Sequence, residues 1–562
     1  LKAANTTDFV VIALYMILNL GIGVYFMRFN RGASDYFRGS NRIPWLVAGL
    51  SSFMSGFSAW TFTGAAGVAY QQGMAVVMLY VGNACSFLLG YLVFAAIWRR
   101  TRISTTMEYL SERFNQPTRQ VFSWTTIFFQ IFMAASMLYG LGLFVASAAG
   151  ASIEWTILIS GAVIIFYCVV GGLWAVVVTD FLQAVVLLPF TLVLTGAALW
   201  KVGGLTGLWH SLPPGMLSLR LPMQFGWGYV AAWTVMVSFG YNTSAMAQRY
   251  FSVDDERSAR KVALLCFALF LLGAGLWFIP PMTMRILYPD LRSIWPGVAN
   301  AHEAAYAVAS LTLLPNGLVG IMLASMFSAS MSSLSGLYNL FAAIISKDIY
   351  QTLFERDAGE RRLLVVGWVA TFGVGIAVTA TAIAMAATGQ SIFQMMLTFN
   401  TIMSLAYGPP ALLGLVVRRT PSWSGLASFS VALITGCLGA FVYNWGLITN
   451  VVVIVPVSVA IFVLSKLFPE HDTGFLARRE SLVRRLETPV DIAGELRDTP
   501  DMTTPVFRFL SAATAGIGLL SLCLMFTVPA NERGTVFAYA GATLLIAALL
   551  RLVRGKRIGE VA

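Results

Sequence analysis

Long apolar stretches separated by short polar ones run along almost the whole chain. A helix that crosses the ~30 Å hydrocarbon core of a bilayer needs about 20 apolar residues. By that rule the pattern predicts fifteen transmembrane helices, over 8–27, 44–68, 73–98, 121–149, 155–170, 171–200, 226–247, 262–288, 316–346, 363–388, 390–417, 424–446, 449–467, 508–528 and 535–552. The boundaries drawn at Gly171-Gly172 and near Gly389 are the least distinct. One long polar insertion, 468–507, reads as a surface loop with a short amphipathic helix around Leu476 to Leu486.

Two of the predicted helices are interrupted. The second contains Ser51-Ser-Phe-Met-Ser-Gly-Phe-Ser-Ala-Trp-Thr-Phe-Thr-Gly64, and the seventh Ser238-Phe-Gly-Tyr-Asn-Thr-Ser244. Unwinding a buried helix frees backbone carbonyls that can coordinate a hard cation, and paired breaks point to an inverted repeat with its sites at the midplane. Close helix packing through small residues is the other reading of each segment. The ninth helix carries Ala329-Ser-Met-Ser-Ser-Leu-Ser335, in which Ala329, Ser332 and Ser333 share a face. Its hydroxyls can replace part of a cation's water shell or simply glue helices together. Oxygen ligands without Cys or His favour a hard ion over a transition metal.

Composition makes lipid the solvent. Only 11% of residues are charged, against roughly 25% in a soluble domain. The net charge is +11, and its distribution suggests orientation in a membrane rather than nucleic-acid binding. With the N-terminus outside, the cytoplasmic stretches 28–43, 98–120, 248–261, 347–362, 418–423, 466–508 and 551–562 hold 30 of the 36 Lys and Arg. Omitting one internal helix would invert every later loop and spoil that split. The five cysteines each stand alone in an apolar stretch, and the three histidines fall in predicted loops. No Gly-x-x-x-x-Gly-Lys-Ser loop occurs, which argues against a pump with its own ATPase. No helix holds paired carboxylates, a His-metal cluster or a Ser/His constellation, so an enzyme is not expected.

Asp180 is the one carboxylate well inside a predicted helix, within Gly171-Gly-Leu-Trp-Ala-Val-Val-Val-Thr-Asp-Phe-Leu-Gln183. An intramembrane carboxylate is costly unless it meets a cation, a donor or water. It reads as a cation ligand, a proton carrier, or a structural anchor bonded to Thr179 or Gln183. No Arg is expected in a midplane segment, so a clamp for a carboxylate solute is not evident.

At these residues the chain resembles the sodium:solute symporter family, over most of 8–420. Asp35-Tyr-Phe-Arg-Gly-Ser-Asn-Arg-Ile-Pro-Trp45 is similar to the family's loop before the first core helix, and Gly171 to Asp180 to its fifth-core-helix motif. Ala329 to Ser335, running on to Asn339 and Lys347-Asp-Ile-Tyr350, resembles the eighth-core-helix signature. Tyr407-Gly-Pro-Pro-Ala-Leu-Leu-Gly-Leu-Val-Val-Arg-Arg-Thr-Pro421 matches the end of the tenth. The resemblance implies an all-α polytopic membrane protein with a LeuT-like 5+5 inverted-repeat core. The divisions would be an N-terminal helix and loop over 1–43, a first repeat over 44–225, a second over 226–423, and peripheral helices over 424–562.

The resemblance also implies a shared Na+ site made by carbonyls of Met54, Phe57 and Ala329 with the hydroxyls of Ser332 and Ser333. A second sodium would take Asp180 and Ser335, although Gly336 stands where members with that ion carry another hydroxyl. The solute pocket would involve Thr61, Tyr80, Asn83, Ser238, Tyr241, Asn400 and Thr401, all lining one midplane cavity. Thr61, Tyr80, Val235, Ser238 and Thr401 replace the polar sugar contacts of sugar-transporting members, so sugar transport through those contacts is not expected. The function implied is secondary active transport, with inward sodium flow driving uptake of a small organic solute by alternating access. A proton-coupled or uncoupled transporter of the same fold, or a membrane solute sensor acting through a partner, are the alternatives. The expected partners are a small solute, sodium and the lipid bilayer, with no nucleic acid. The expected location is a cell membrane, as in a bacterial inner membrane, with the C-terminus cytoplasmic.

Overall fold

The computed structural model describes residues 5–27, 41–57, 60–103, 105–171, 173–218, 225–294, 300–389, 391–495 and 503–553. Among these residues the chain is helical, with no strand. In chain order the main helices are α1 (Thr6–Met27), α2 (Trp45–Gly56), α3 (Ala66–Gln72), α4 (Met74–Arg100), α5 (Thr106–Arg113), α6 (Gln116–Ala149), α7 (Ile153–Gly171) and α8 (Leu173–Lys201). They continue as α9 (Gly204–Ser211), α10 (Trp227–Tyr241), α11 (Ser244–Phe251), α12 (Glu256–Leu287), α13 (Ala305–Leu313), α14 (Leu318–Ala343), α15 (Glu360–Thr388) and α16 (Ile392–Val416). The last five are α17 (Ser424–Val442), α18 (Leu447–Leu464), α19 (Thr473–Glu487), α20 (Thr503–Cys523) and α21 (Arg533–Arg551). Eleven helices among the described residues are long and apolar enough to cross a membrane.

Four of the fifteen expected spans are not among those eleven, each for a visible reason. The apolar part of α1 is described over Thr6–Asn19 and that of α7 over Ile153–Val169, both short. The spans expected at 44–68 and 226–247 are each divided by a break. The expected boundary at Gly171-Gly172 and the motif residues 35–40 lie wholly or partly outside the described residues.

The centre of the bundle is α14. Every residue from Leu318 to Ala343 except Phe327 is buried, and α1, α2, α6, α8 and α15 pack around it. Serine, alanine and glycine along it let neighbours approach closely. Gly320 is required by this packing, since a Cβ there would stand 2.5 Å from the Asp8 carbonyl oxygen. The same Asp8 closes the start of α14. Its Oδ1 accepts from the amides of Gly317 and Gly320, each at 2.7 Å. These are among the orphan donors that begin any helix.

A glycine also sets the turn from α3 to α4. Gly73 has φ +56°, and a Cβ on it would meet the Met216 carbonyl oxygen at 2.3 Å. The Met74 amide donates to that oxygen at 2.7 Å, which ties the loop after α9 to the turn.

The C-terminal helices are peripheral. α17 and α18 lie on α16, while α20 and α21 pair with each other and lean on α8. The polar insertion folds back on the core. Phe475, Leu482 and Leu486 of α19 are buried, and the helix docks on α5 and the end of α4. Arg485 pairs with Glu112, Arg418 with Glu487, and Arg102 with Glu495 at 2.6 Å. The apolar stripe expected around Leu476 to Leu486 therefore faces protein.

Replacing Asp8 by Ala leaves two buried amides without an acceptor, a loss of roughly 1–3 kcal/mol. A melt of the purified protein should show Asp8→Ala clearly less stable than wild type. Asp8→Asn, which keeps one acceptor oxygen, should fall in between.

Candidate functional site

The first break ends α2. Phe57 leaves the helical region, at φ −120° and ψ 88°, and its amide donates to the Met54 carbonyl at 3.1 Å. The chain is helical again from Trp60, through a widened turn over Thr61–Ala65. Opposite the break stands Ser333 of α14. Its Oγ lies 3.2 Å from the Ala329 carbonyl oxygen and 3.4 Å from those of Met54 and Ser55. Hydroxyl hydrogen bonds are usually about 2.7–2.8 Å long, and one hydroxyl proton can serve one acceptor well. The result is a cluster of carbonyl and hydroxyl oxygens around one point. Next to it the buried Ser332 hydroxyl faces the Asp180 carboxylate. The Phe57 carbonyl leads into residues 58–59, outside the described residues. Met54, Ala329 and Ser333 are thus brought together, while Ser332, the next residue on the same helix, faces Asp180. An all-oxygen set of this kind suits a hard monovalent or divalent cation.

The second break separates α10 from α11 at Asn242 and Thr243. The Asn242 side chain donates to the carbonyls of Ser238 (2.9 Å) and Ser86 (3.1 Å), and Trp98 Nε1 donates to the Asn242 carbonyl at 2.8 Å. A break in lipid is tolerated only when neighbours satisfy its backbone in this way.

Asp180 is fully buried on α8. Its Oδ2 accepts from Ser51 Oγ at 2.5 Å and lies 3.7 Å from an Arg249 Nη2 that is itself buried. Arg249 Nε also donates to Ser51 Oγ at 3.1 Å, and Nη2 to Ser55 Oγ at 3.3 Å. Arg249, counted in the sequence with the stretch 248–261, is therefore buried inside the helix bundle. The apolar run ends before Gln248, but the turn after Thr243 carries α11 back into the bundle. Thr179 bonds Tyr167 at 2.5 Å and the Val176 carbonyl at 3.0 Å. Ser335 donates to the Ser332 carbonyl at 3.0 Å.

Between the two breaks lies a cavity of about 150 Å³, walled by α6, α10, α11, α14, α16 and the end of α2. Tyr241 and Asn400 reach its wall. The other five residues expected there do not, because each is engaged with a neighbouring helix or its own. Thr61 and Tyr80 share a hydrogen bond of 2.7 Å, and Asn83 accepts from Trp233 Nε1 at 2.8 Å. Ser238 donates to the Thr234 carbonyl at 2.6 Å, and Thr401 contacts Met236 Sδ at 3.1 Å. Gln130, Trp60, Trp233 and Ser404 line the cavity instead. Gln130 had a signal in the sequence, as a lone amide inside an otherwise apolar run.

One end of the cavity is shut. Trp60 stacks on Trp233 (5.8 Å, 12°), on Phe393 (5.7 Å, 22°) and on Tyr80 (6.2 Å, 9°). Beyond this stack Glu303, in the turn Ala301–Ala304, accepts from Ser391 Oγ at 2.7 Å at the start of α16. A Cβ on Gly67 of α3 would meet Glu303 Cα at 3.2 Å. Burial pushes the Glu303 carboxyl up to about 7, outweighing Ser391 and the amides of Phe393 and Ile392. Tyr139 and His302 are the other titratable groups around it, and Arg292 acts on His302.

A model described as the sodium:solute symporter family matches residues 36–431. The chain is 30% identical over 462 residues to sodium/glucose cotransporter 2 of Rattus norvegicus, covering 74% of this chain and 68% of that protein. It is 28% identical over 477 residues to the sodium/mannose cotransporter SLC5A10 of Bos taurus, covering 76% and 79%. Its fold is similar to that of a Na+-coupled sialic acid symporter solved in a substrate-bound outward-open state, with a TM-score of 0.72 at 20% identity, covering 83% of this chain and 98% of that one.

Because the folded value of Glu303 is raised, protonation favours the closed contact. Its contribution is complete below the ordinary value of 4.5 and is lost as pH rises through about 7. The melting temperature should therefore fall between about pH 4.5 and about pH 7, and Glu303→Gln should flatten that part of the profile.

Proposed function

The chain belongs to the sodium:solute symporter family, and from that premise we propose that the oxygen cluster at the α2 break holds the sodium that drives solute through the cavity beside it. The protein is a multi-pass membrane transporter that couples sodium to solute uptake, not an enzyme. The observation that carries the site is the position of Ser333. Its hydroxyl stands among the carbonyls of Met54, Ser55 and Ala329 and also lines the cavity. A cation there ties the broken helix to α14, and so does a solute in contact with both. Each ligand then favours the closed arrangement that the other needs, which is coupling.

The helices fit a fifteen-span reading when α1, the broken α2–α3 pair, α7 and the broken α10–α11 pair are added to the eleven long ones. The two breaks support a 5+5 inverted repeat over 44–225 and 226–423. The clustering of Lys and Arg supports an outer N-terminus. On that orientation the aromatic stack closes the outer side, and the cavity extends past Asn400 toward Tyr407 on the cytoplasmic side.

Asp180 is read as the counter-charge of Arg249 rather than as a ligand for a second sodium or a proton carrier. Its carboxylate already has Ser51 and a guanidinium, and Ser335 is turned to its own helix backbone.

Two outcomes are expected in proteoliposome uptake. Ser332→Ala and Ser333→Ala should each raise the half-saturating sodium concentration about tenfold, since ~1.4 kcal/mol corresponds to one decade. An unchanged sodium dependence in a well-expressed double variant would remove the site. Asp180→Asn leaves a buried guanidinium without its partner, a loss of roughly 3–5 kcal/mol. It should melt well below wild type and be partly rescued by adding Arg249→Gln. A wild-type Hill slope near two that falls to one in Asp180→Asn would instead identify a second sodium.

A further inference from the structure

The shut end of the cavity is flat and apolar. Trp60 and Trp233 both reach the wall, with rings 12° from parallel. Phe393 extends the stack, 22° from Trp60 and 12° from Trp233. Parallel rings held in this way offer a π face that a flat ligand can continue. Thioethers of Met133, Met246 and Met396 are also at the wall, and these adapt to a ring edge.

Charge is missing from this lining. Among the described residues, no Asp, Glu, Lys or Arg side chain reaches the cavity. Asp180 and Arg249 lie behind it and balance each other. An ionised solute would surrender its water without meeting a counter-charge. Hydrogen-bonding capacity is also small. The hydroxyls of Ser55, Thr243 and Ser404 at the wall already donate, to Ser51 O, Phe239 O and Asn400 Oδ1. The Gln130 amide, the Asn400 amide nitrogen and the Tyr241 hydroxyl remain for a ligand. That set suits one amide-like edge. The three hydroxyl oxygens can still accept, but the wall offers few donors, a poor match to a polyhydroxylated ring whose oxygens also need donors when buried.

Resting on the reading of this cavity as the solute site, we propose that the solute is an uncharged, flat ring bearing an amide or lactam. Its face lies on Trp60 and Trp233, and its polar edge bonds Gln130 and Asn400.

The test is a thermal melt of the purified full-length protein, in sodium and in potassium, with nicotinamide, uracil, D-glucose or benzoate. D-glucose controls for flatness, and benzoate controls for charge. Nicotinamide or uracil should raise the melting temperature in sodium beyond sodium alone and quench tryptophan fluorescence. D-glucose and benzoate should do neither. Gln130→Ala should weaken half-saturation by the active ring amide at least tenfold while leaving the effect of sodium alone unchanged. Stabilisation by D-glucose or benzoate at or above that of the ring amides, or by none of the four, overturns the solute class. Sodium alone against potassium, with and without Ser333→Ala, reads the ion site without any solute. The two readings can therefore fail separately.

Discussion

A helix broken inside a membrane must find partners for the backbone groups it frees, because lipid offers none. This constraint organises the molecule. At the second break the partner is internal: the Asn242 side chain and Trp98 take up the loose carbonyls and leave a closed joint. At the first break, among the described residues, several oxygens converge on one hydroxyl. The Met54 carbonyl, which accepts from the Phe57 amide at 3.1 Å, and the Ser55 carbonyl both face the Ser333 hydroxyl at 3.4 Å, and a cation would complete this group of oxygens. On the reading proposed above, α10–α11 has the structural role and α2 the ion-binding one.

The same constraint explains how ion and solute are linked. Ser55, Gly56 and Trp60 follow one another through the first break and all reach the cavity. Arg249 bonds Ser51 and Ser55 from the other side and is fixed by Asp180. Hence α2 is gripped by α8, α11 and α14 at one stretch of a few residues. A shift of α2 cannot leave the ion cluster, the ion pair or the cavity wall unchanged.

Much of this was legible in the sequence, because it rests on local chemistry. Apolar run length marked the helices, and Gly, Ser and Thr clusters marked both breaks. Ala329, Ser332 and Ser333 shared a face by helical spacing alone. Pairings between distant helices were not legible. Arg249 follows an apolar run and looks like a loop residue until the turn at Thr243 returns it to the core. Thr61, Tyr80 and Asn83 are polar residues in apolar helices, which reads as a pocket. Their hydroxyls and amide instead find each other and Trp233, a choice set by helix packing that no periodicity records. Glu303 looked like an ordinary loop carboxylate for the same reason, although it is buried against the start of α16.

The central claim is that sodium fastens the broken helix α2 to α14. It is tested most directly by electron–electron resonance distances between spin labels at Trp45 and Leu353, both exposed, in a cysteine-free background. Sodium should narrow the distance distribution and shift it toward the packed arrangement, relative to potassium at equal ionic strength. Ser333→Ala should abolish the difference. Identical distributions in sodium and potassium, at sodium concentrations that support uptake, would contradict the account.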